Sequence, residues 1–94
     1  ASFVRPAVIV VANAFLRYQP TTVFAVPLTS SQRSFPSHVP IEPGAHNGLG
    51  QPSVALVEQM RPIAVQRCSS PVGNIGLVAN QQILDVLAMI TGMP

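Results

Sequence analysis

A cation and a hydroxyl side chain stand at the ends of two apolar runs near the start of the chain. Arg5 precedes the run Ala7 to Ala12, and the run Thr22 to Leu28 leads into Thr29 and two serines. If both runs are strands, Arg5 and Thr29 can meet at one rim of a small sheet. Because arginine grips phosphate through two parallel hydrogen bonds, a cation beside hydroxyls suits a phosphodiester.

Other polar residues offer more than one interpretation. Glu58 is either part of the same chemistry or a structural ion partner of Arg61. His38 is either a structural residue or one that faces a substrate. The two histidines lie eight residues apart and the one cysteine is distant, so the spacing does not match a zinc site and we expect no metal.

The elements that must position these residues are mostly strands. Pro27 within the second strand suggests an edge position or a bulge. Apolar residues at helical spacing predict one terminal helix over Asn80 to Thr91, capped by Asn80 and stopped by Gly92. We therefore expect an α+β fold, a small bent antiparallel barrel with a C-terminal helix. The predicted strands are Ala7 to Ala12 (buried on both faces), Thr22 to Leu28, Ser37 to Ile41, Ser53 to Gln59, Arg61 to Gln66 and a short strand or bulge within Val72 to Val78.

Composition narrows the classes of protein. The 94 residues predict a single domain, 1–94, with 48% hydrophobic and only 9% charged residues, which favours surface buried against a partner. The net charge of +2 comes from five arginines without lysine, unlike the dense basic stripe of a nonspecific nucleic-acid binder. No apolar stretch is long enough for a membrane helix, so we expect no membrane partner. The single Cys68 fits a reducing, cytoplasmic location.

Four short sequence motifs, in a fixed order, resemble those of a known protein family. Together they cover roughly residues 5–92. The chain resembles the MazF/PemK (Kid) toxin family, the mRNA interferases of type II toxin–antitoxin systems. The resemblance implies an SH3-like barrel of the CcdB/MazF type that forms a homodimer, cleaves RNA as an endoribonuclease and is neutralised by a cognate antitoxin. The motifs are Arg5 to Val10, Val26 to Ser31, Phe35 to Val39 and Ser53 to Ala64.

The resemblance also implies roles for individual residues. Arg5 occupies the position of the family's active-site arginine, and Thr29 that of its catalytic hydroxyl. Glu58 occupies the acidic position that is proposed as the base in the PemK branch, with Gln59 beside it. That branch has an arginine two residues before the acid, where this chain has Leu56, so that acid–base pair is not inherited.

The implied reaction is transesterification within single-stranded RNA, with messenger, transfer and ribosomal RNA as candidate targets. The ribose 2′-OH attacks the adjacent phosphorus, so the nucleophile belongs to the substrate and no metal or cofactor is required. Arg5 would stabilise the developing charge, while Thr29 would position a phosphate oxygen. Tyr18 beside Arg17 is the best candidate to stack an unpaired base. The expected RNA-binding residues are Arg17, Tyr18, Ser30, Ser31, Gln32, Arg33, His38 and Gln59.

Two alternatives to the nuclease remain at this point. The first is a toxin like those of the related CcdB family, which uses the same barrel to bind DNA gyrase without nuclease activity; this hypothesis would depend on the C-terminal helix. The second is an inactive family member that only binds antitoxin. Family chains usually carry a further N-terminal strand and loop before the Arg-Pro motif, and we expect this segment to be missing, since only four residues precede Arg5.

Overall fold

The computed structural model describes residues 5–31, 34–69 and 71–92. The described residues form five strands, two α-helices and two 3-10 turns. In chain order they are β1 (Ala7–Ile9), α1 (Asn13–Leu16), β2 (Thr22–Thr29), β3 (His38–Ile41), β4 (Ser53–Leu56), a 3-10 turn (Val57–Gln59), β5 (Arg61–Ala64), a 3-10 turn (Val65–Arg67) and α2 (Gly76–Thr91).

The long strand β2 organises an antiparallel sheet. On one side it pairs with β1, from Ala7 opposite Pro27 to Ile9 opposite Ala25. Its first half pairs with β5 and its last two residues pair with β4, which in turn pairs with β3. The five strands and the C-terminal helix confirm the predicted α+β class, with the strands joined along an open path among the described residues.

Pro27 was predicted at an edge position or a bulge. It pairs with Ala7 of β1 on one side but has no strand partner among the described residues on the other, although β2 as a whole is the central strand of the network. β2 pairs with β5 up to Ala25 and with β4 from Leu28 onward. Pro27 therefore lies in the gap where β2 changes partners on that side. Leu28 donates its N–H to the carbonyl of Pro6 on the β1 side, so the alternating N–H of position 27 would point toward the gap. A proline fits there because no ladder bond needs its missing N–H.

The core lies between one face of the sheet and α2. Alternate residues of the strands point to this face, where they surround the fully buried Ile83 of the helix. Removing these aliphatic side chains from water is the main driving force for the fold. The buried core consists of Val8, Val26, Val39, Ile41, Ala55, Val57 and Ile83.

The first strand is shorter than predicted and is not buried on both faces. β1 ends at Ile9, and of its three residues only Val8 is buried. Val10 still donates its N–H to the carbonyl of Phe24, but the chain then enters α1, where the N–H of Phe15 bonds the carbonyl of Ala12. The end of β1 could not be predicted from the continuous run of β-branched residues, because such a run does not mark where strand pairing stops.

Two other strands also end earlier than predicted, each in a 3-10 turn. β4 stops at Leu56 and β5 stops at Ala64. In both turns the residue after the turn donates its N–H back to the first turn residue, Met60 to Val57 and Cys68 to Val65. Short 3-10 turns are common connectors and carry no strong pattern in sequence.

The terminal helix confirms the prediction but begins earlier. α2 starts at Gly76, inside the segment predicted as a short strand or bulge, so Asn80 lies within the helix rather than at its cap. The side chain of Asn74 instead accepts the N–H of Gly76 at 3.0 Å. The predicted end at Gly92 is confirmed, since its left-handed φ of 72° suits glycine and its N–H caps the last turn. Neither this helix nor α1 has the length and apolarity needed to cross a membrane.

Candidate active site

The pairing of β1 with β2 determines where Arg5 lies relative to Thr29. The pairing continues beyond β1, because the N–H of Leu28 donates to the carbonyl of Pro6 at 3.2 Å. Extending the same register by one pair sets Arg5 opposite Thr29. Directly opposed residues in antiparallel strands have Cα atoms about 4.5–5.5 Å apart. These two residues form the strand-end pair.

The hydroxyl of Thr29 is oriented by the turn that follows it. Ser31 donates its backbone N–H to Thr29 Oγ1 at 3.2 Å. This local bond uses one acceptor site of the hydroxyl and leaves its O–H to donate. Thr29 is half-buried, whereas Ser30 and Ser31 are exposed beside it. The end of β2 therefore presents an oriented hydroxyl next to the position of Arg5.

Strand alternation puts Thr29 and His38 on the same face of the sheet. Val26 and Val39 point to the core beside Ile83, so residues at odd spacing from them point to the opposite face. Thr29 is three residues from Val26, and His38 is adjacent to Val39. The two positions are two strands apart, with Cα atoms about 12 Å apart for ideal strand spacing. A single phosphodiester with its flanking nucleotides spans such a distance.

A second group of polar residues is joined by the turn after β4. Val57 donates its backbone N–H to the carbonyl of Ser37 at 3.2 Å, which places Glu58 beside the start of β3. Ser37 then donates its hydroxyl to Glu58 Oε1 at 2.8 Å. The Nε2 atom of His38 lies 3.2 Å from Glu58 Oε2. Ser37, His38 and Glu58 form the carboxylate cluster.

The surroundings of Glu58 favour its ionised form. Desolvation by burial opposes ionisation and acts to raise the pKa. Hydrogen bonds from the Ser37 hydroxyl, the backbone and His38, together with the charge of His38, outweigh it and hold the pKa of Glu58 below its ordinary value. Its side chain is still 35% exposed, so water and substrate can reach it. At neutral pH this residue is a carboxylate that can accept a proton only weakly.

His38 is held more tightly than a surface histidine. Its side chain is 8% exposed and its ring lies 5.6 Å from the ring of Phe35. A carboxylate only accepts hydrogen bonds, so we assign the Nε2 hydrogen to the contact with Glu58. The other ring nitrogen, Nδ1, is buried and has no hydrogen-bond partner among the described residues.

Arg17 and Tyr18 lie at a third place, the end of α1. Arg17 is exposed, Tyr18 is 82% exposed, and the Tyr18 ring is 6.3 Å from that of Phe15. These side chains line a shallow depression of about 500 Å³ with two alanines of the same segment. Because α1 follows the far end of β1, this patch is separated from Arg5 by the length of the strand. The predicted RNA-binding residues thus do not form one cluster.

The remaining candidates divide between described and undescribed residues. Gln59 is exposed directly beside Glu58. Gln32 and Arg33 lie outside the described residues. The suggested ion pair between Glu58 and Arg61 is not formed, since the carboxylate bonds Ser37 and His38 instead. Sequence analysis missed Ser37, whose buried hydroxyl is the closest partner of Glu58; a serine before a strand gives no signal for a contact 21 residues away.

Comparison with known proteins identifies the family of the chain. A family model described as PemK-like, MazF-like toxin of type II toxin–antitoxin system matches residues 1–91. The chain therefore belongs to the PemK/MazF-like toxin family. Among proteins with curated descriptions, none matches the chain.

Solved structures share the fold at low sequence identity. The toxin MazF-mt6 of Mycobacterium tuberculosis superposes with a TM-score of 0.82 and 24% identity, over 96% of this chain and 88% of that chain. An endoribonuclease in complex with its cognate antitoxin, from a mycobacterial species, gives 0.79 and 23% over 96% and 82%. The MazE–MazF complex of Deinococcus radiodurans gives 0.78 and 22% over 96% and 83%. The fold is thus that of MazF toxins.

Proposed function

We propose that this toxin is a sequence-specific, metal-independent endoribonuclease that cleaves single-stranded RNA at the strand-end pair. The observation that supports it is the register of β1 and β2, which sets Arg5 opposite Thr29 at one rim of the sheet. A guanidinium beside an oriented hydroxyl is suited to bind a phosphodiester. One of the solved structures with the same fold is named an endoribonuclease, which agrees with this chemistry.

The chemistry is an attack of the ribose 2′-oxygen on the neighbouring phosphorus. The 2′-oxygen forms a bond to phosphorus, the bond to the 5′-oxygen breaks, and the products are a 2′,3′-cyclic phosphate and a 5′-OH end. The Glu58 carboxylate takes the proton of the 2′-OH, and the departing 5′-oxygen takes a proton from solvent. Since the nucleophile is part of the substrate, the reaction needs no metal-bound water.

The strand-end pair acts on the transition state. The negative charge on the phosphate oxygens grows as the new bond forms, and the Arg5 guanidinium offsets it. A guanidinium stays charged in proteins and is a poor proton donor. The Thr29 hydroxyl donates to a phosphate oxygen and fixes its position, because an unassisted hydroxyl is a weak base.

Recognition of the RNA sequence is assigned to the exposed loops. Bases of a single strand are read by stacking and by hydrogen bonds to their edges. Tyr18, with Arg17 beside it, offers a stacking surface for a base at a distance from the cut. The loop after Thr29 and the turn at Glu58 supply polar groups nearer the cut. Among the described residues these are Ser30, Ser31 and Gln59; Gln32 and Arg33, also predicted to bind RNA, lie outside the described residues.

Further partners are a cognate antitoxin and a second copy of the chain. Complexes of MazE with MazF occur among proteins of the same fold. Several large apolar side chains of α2 are exposed, including Leu77 at 89% and Met89 at 56%. Apolar surface of this kind supports contact with another protein.

The test is incubation of the purified protein with a long single-stranded RNA in EDTA, followed by mapping of fragment ends. Wild-type protein should give discrete cuts with cyclic-phosphate ends. Thr29→Ala should lose cleavage, whereas Thr22→Ala at the exposed start of the same strand should keep it. Intact RNA with the wild-type protein would reject the nuclease and favour a toxin that binds a protein target, such as gyrase.

A further inference from the structure

The carboxylate cluster contains Ser37 and His38, to which the proposed chemical step gives no task, although the sequence predicts His38 as an RNA-binding residue. Ser37 is buried and its hydroxyl donates to one oxygen of Glu58 at 2.8 Å. His38 contacts the other oxygen at 3.2 Å. We propose that Ser37 and His38 are positioning residues that hold the Glu58 carboxylate in one orientation for proton transfer. This inference rests on the proposed ribonuclease activity.

The two contacts fix the carboxylate from separate directions. A carboxyl group bonded through only one oxygen can rotate about its terminal torsion, whereas bonds to both oxygens restrict that rotation. The backbone adds to the restraint, since the N–H of Val57 bonds the carbonyl of Ser37 and ties the two turns together. Each oxygen of Glu58 keeps a further lone pair with which to accept a proton.

The burial of His38 leaves one polar atom of its ring, Nδ1, unpaired among the described residues. An unsatisfied buried polar atom costs on the order of 1–3 kcal/mol. An aliphatic side chain would pack beside Phe35 without this cost. Packing beside Phe35 does not require a polar ring, and among the described residues the hydrogen-bond partner of the ring is Glu58.

Among the residues that the structure describes, the charged groups on the elements around the cluster are few. On the β3 side the titratable group is His38 itself. Arg61 begins β5, two residues after the turn, and is exposed. On α2, which packs against the turn through Ile83 and Val57, the acid is Asp85, which accepts a bond from Gln81 at 2.9 Å. Burial acts to raise the pKa of Glu58, and the bonds from Ser37, the backbone and His38, with the charge of His38, are what lower it.

The experiment measures kcat, KM and the pH dependence of kcat on an RNA containing one mapped cut site, in EDTA. The variants are Ser37→Ala, His38→Leu and His38→Gln, each alone and combined with Glu58→Gln. Gln at position 38 keeps an N–H donor near the place of Nε2, whereas Leu keeps only bulk. Ser69→Ala and His46→Leu are matched controls, because both residues are exposed and lie outside the cluster.

We expect Ser37→Ala and His38→Leu to lower kcat about 10–100-fold with KM unchanged, the loss expected for a hydrogen bond to a charged group. His38→Gln should recover most of the loss. Removing a bond to the ionised form raises the pKa of Glu58, so the acid limb of the kcat profile should move to higher pH in Ser37→Ala. In the Glu58→Gln background the same substitutions should have no further effect on kcat.

Three results would overturn the inference. Additive losses in the Glu58→Gln background would show that Ser37 and His38 act independently of the carboxylate. An unmoved acid limb together with wild-type kcat in Ser37→Ala and His38→Leu would remove both residues from the reaction while leaving the nuclease intact. An inactive wild-type protein would instead reject the proposed function, and the inference with it.

Discussion

The strand-end pair and the carboxylate cluster are positioned by different forces. Arg5 and Thr29 face each other because backbone hydrogen bonds fix the register of two strands. The cluster is assembled by side-chain bonds between two turns, centred on the half-exposed carboxylate of Glu58. Side chains at the strand-end pair should therefore be removable without loss of stability, whereas those in the cluster should affect both stability and reaction.

The largest expected effect is that of Arg5→Ala on cleavage. Loss of one group that stabilises developing charge should lower kcat about 10²–10³-fold. The free energy of unfolding should change far less than the barrier to cleavage, since Arg5 is exposed and the register depends on the backbone. Single-turnover cleavage and urea unfolding measure the two quantities.

Arg67→Ala is the matched control for this prediction. Arg67 is an exposed arginine of the second 3-10 turn, away from the β1–β2 rim. Equal loss of cleavage in both variants would mean that net charge, rather than the strand-end pair, drives the effect. A clear loss of stability in Arg5→Ala would break the comparison itself.

Tyr18→Ala tests whether the patch at α1 belongs to the RNA-binding surface. Stacking of a base on an aromatic ring contributes about 1–3 kcal/mol, so the Kd for single-stranded RNA should rise about 5–150-fold while the rate on bound RNA stays the same. Tyr18→Phe keeps the ring and should bind RNA as the wild type does. Unchanged affinity in the alanine variant would confine recognition to the other two regions.

Ser37→Ala in the carboxylate cluster should destabilise the fold more than Thr29→Ala in the strand-end pair. The buried hydroxyl donates to a carboxylate, so its loss should lower the free energy of unfolding by about 1–2 kcal/mol. Thr29→Ala should stay within about 0.5 kcal/mol of the wild type. Urea unfolding at pH 7 compares them. Equal stability of the two variants would show that the Ser37–Glu58 bond adds nothing to the fold.

The smallest expected effect is a pH dependence of this stability difference. The folded-state pKa of Glu58 lies below the ordinary value of 4.5, so the ionised carboxyl stabilises the fold above that pH. The contribution is lost as the pH falls through the lowered pKa. The difference in free energy of unfolding between the wild type and Ser37→Ala should therefore decrease below about pH 4.5. A constant difference from pH 7 down to pH 3 would contradict the ionised hydrogen bond.

The same difference explains how far the sequence could predict the site. Strand patterns and the ends of apolar runs are local, so the rim shared by Arg5 and Thr29 was within reach of sequence analysis, although their roles stay predictions. The hydrogen-bond partners of Glu58 could not be predicted from the sequence. The contact with Ser37 joins residues 21 apart through two turns that have no distinct sequence pattern. Sequence analysis also did not predict the 3-10 turns after β4 and β5 or the early start of α2. The reason is similar, since apolar runs do not mark where strand pairing ends.

The most direct test of the account uses an RNA oligonucleotide containing one mapped cut site, incubated with wild-type protein in EDTA. A second oligonucleotide of the same sequence carries deoxyribose on the 5′ side of the scissile phosphate. We predict cleavage of the first to a 2′,3′-cyclic phosphate and a 5′-OH end, and no cleavage of the second, because the attacking 2′-oxygen is missing. Cleavage of the deoxy-substituted strand at the same phosphate would contradict the account, as would an uncut all-ribose strand.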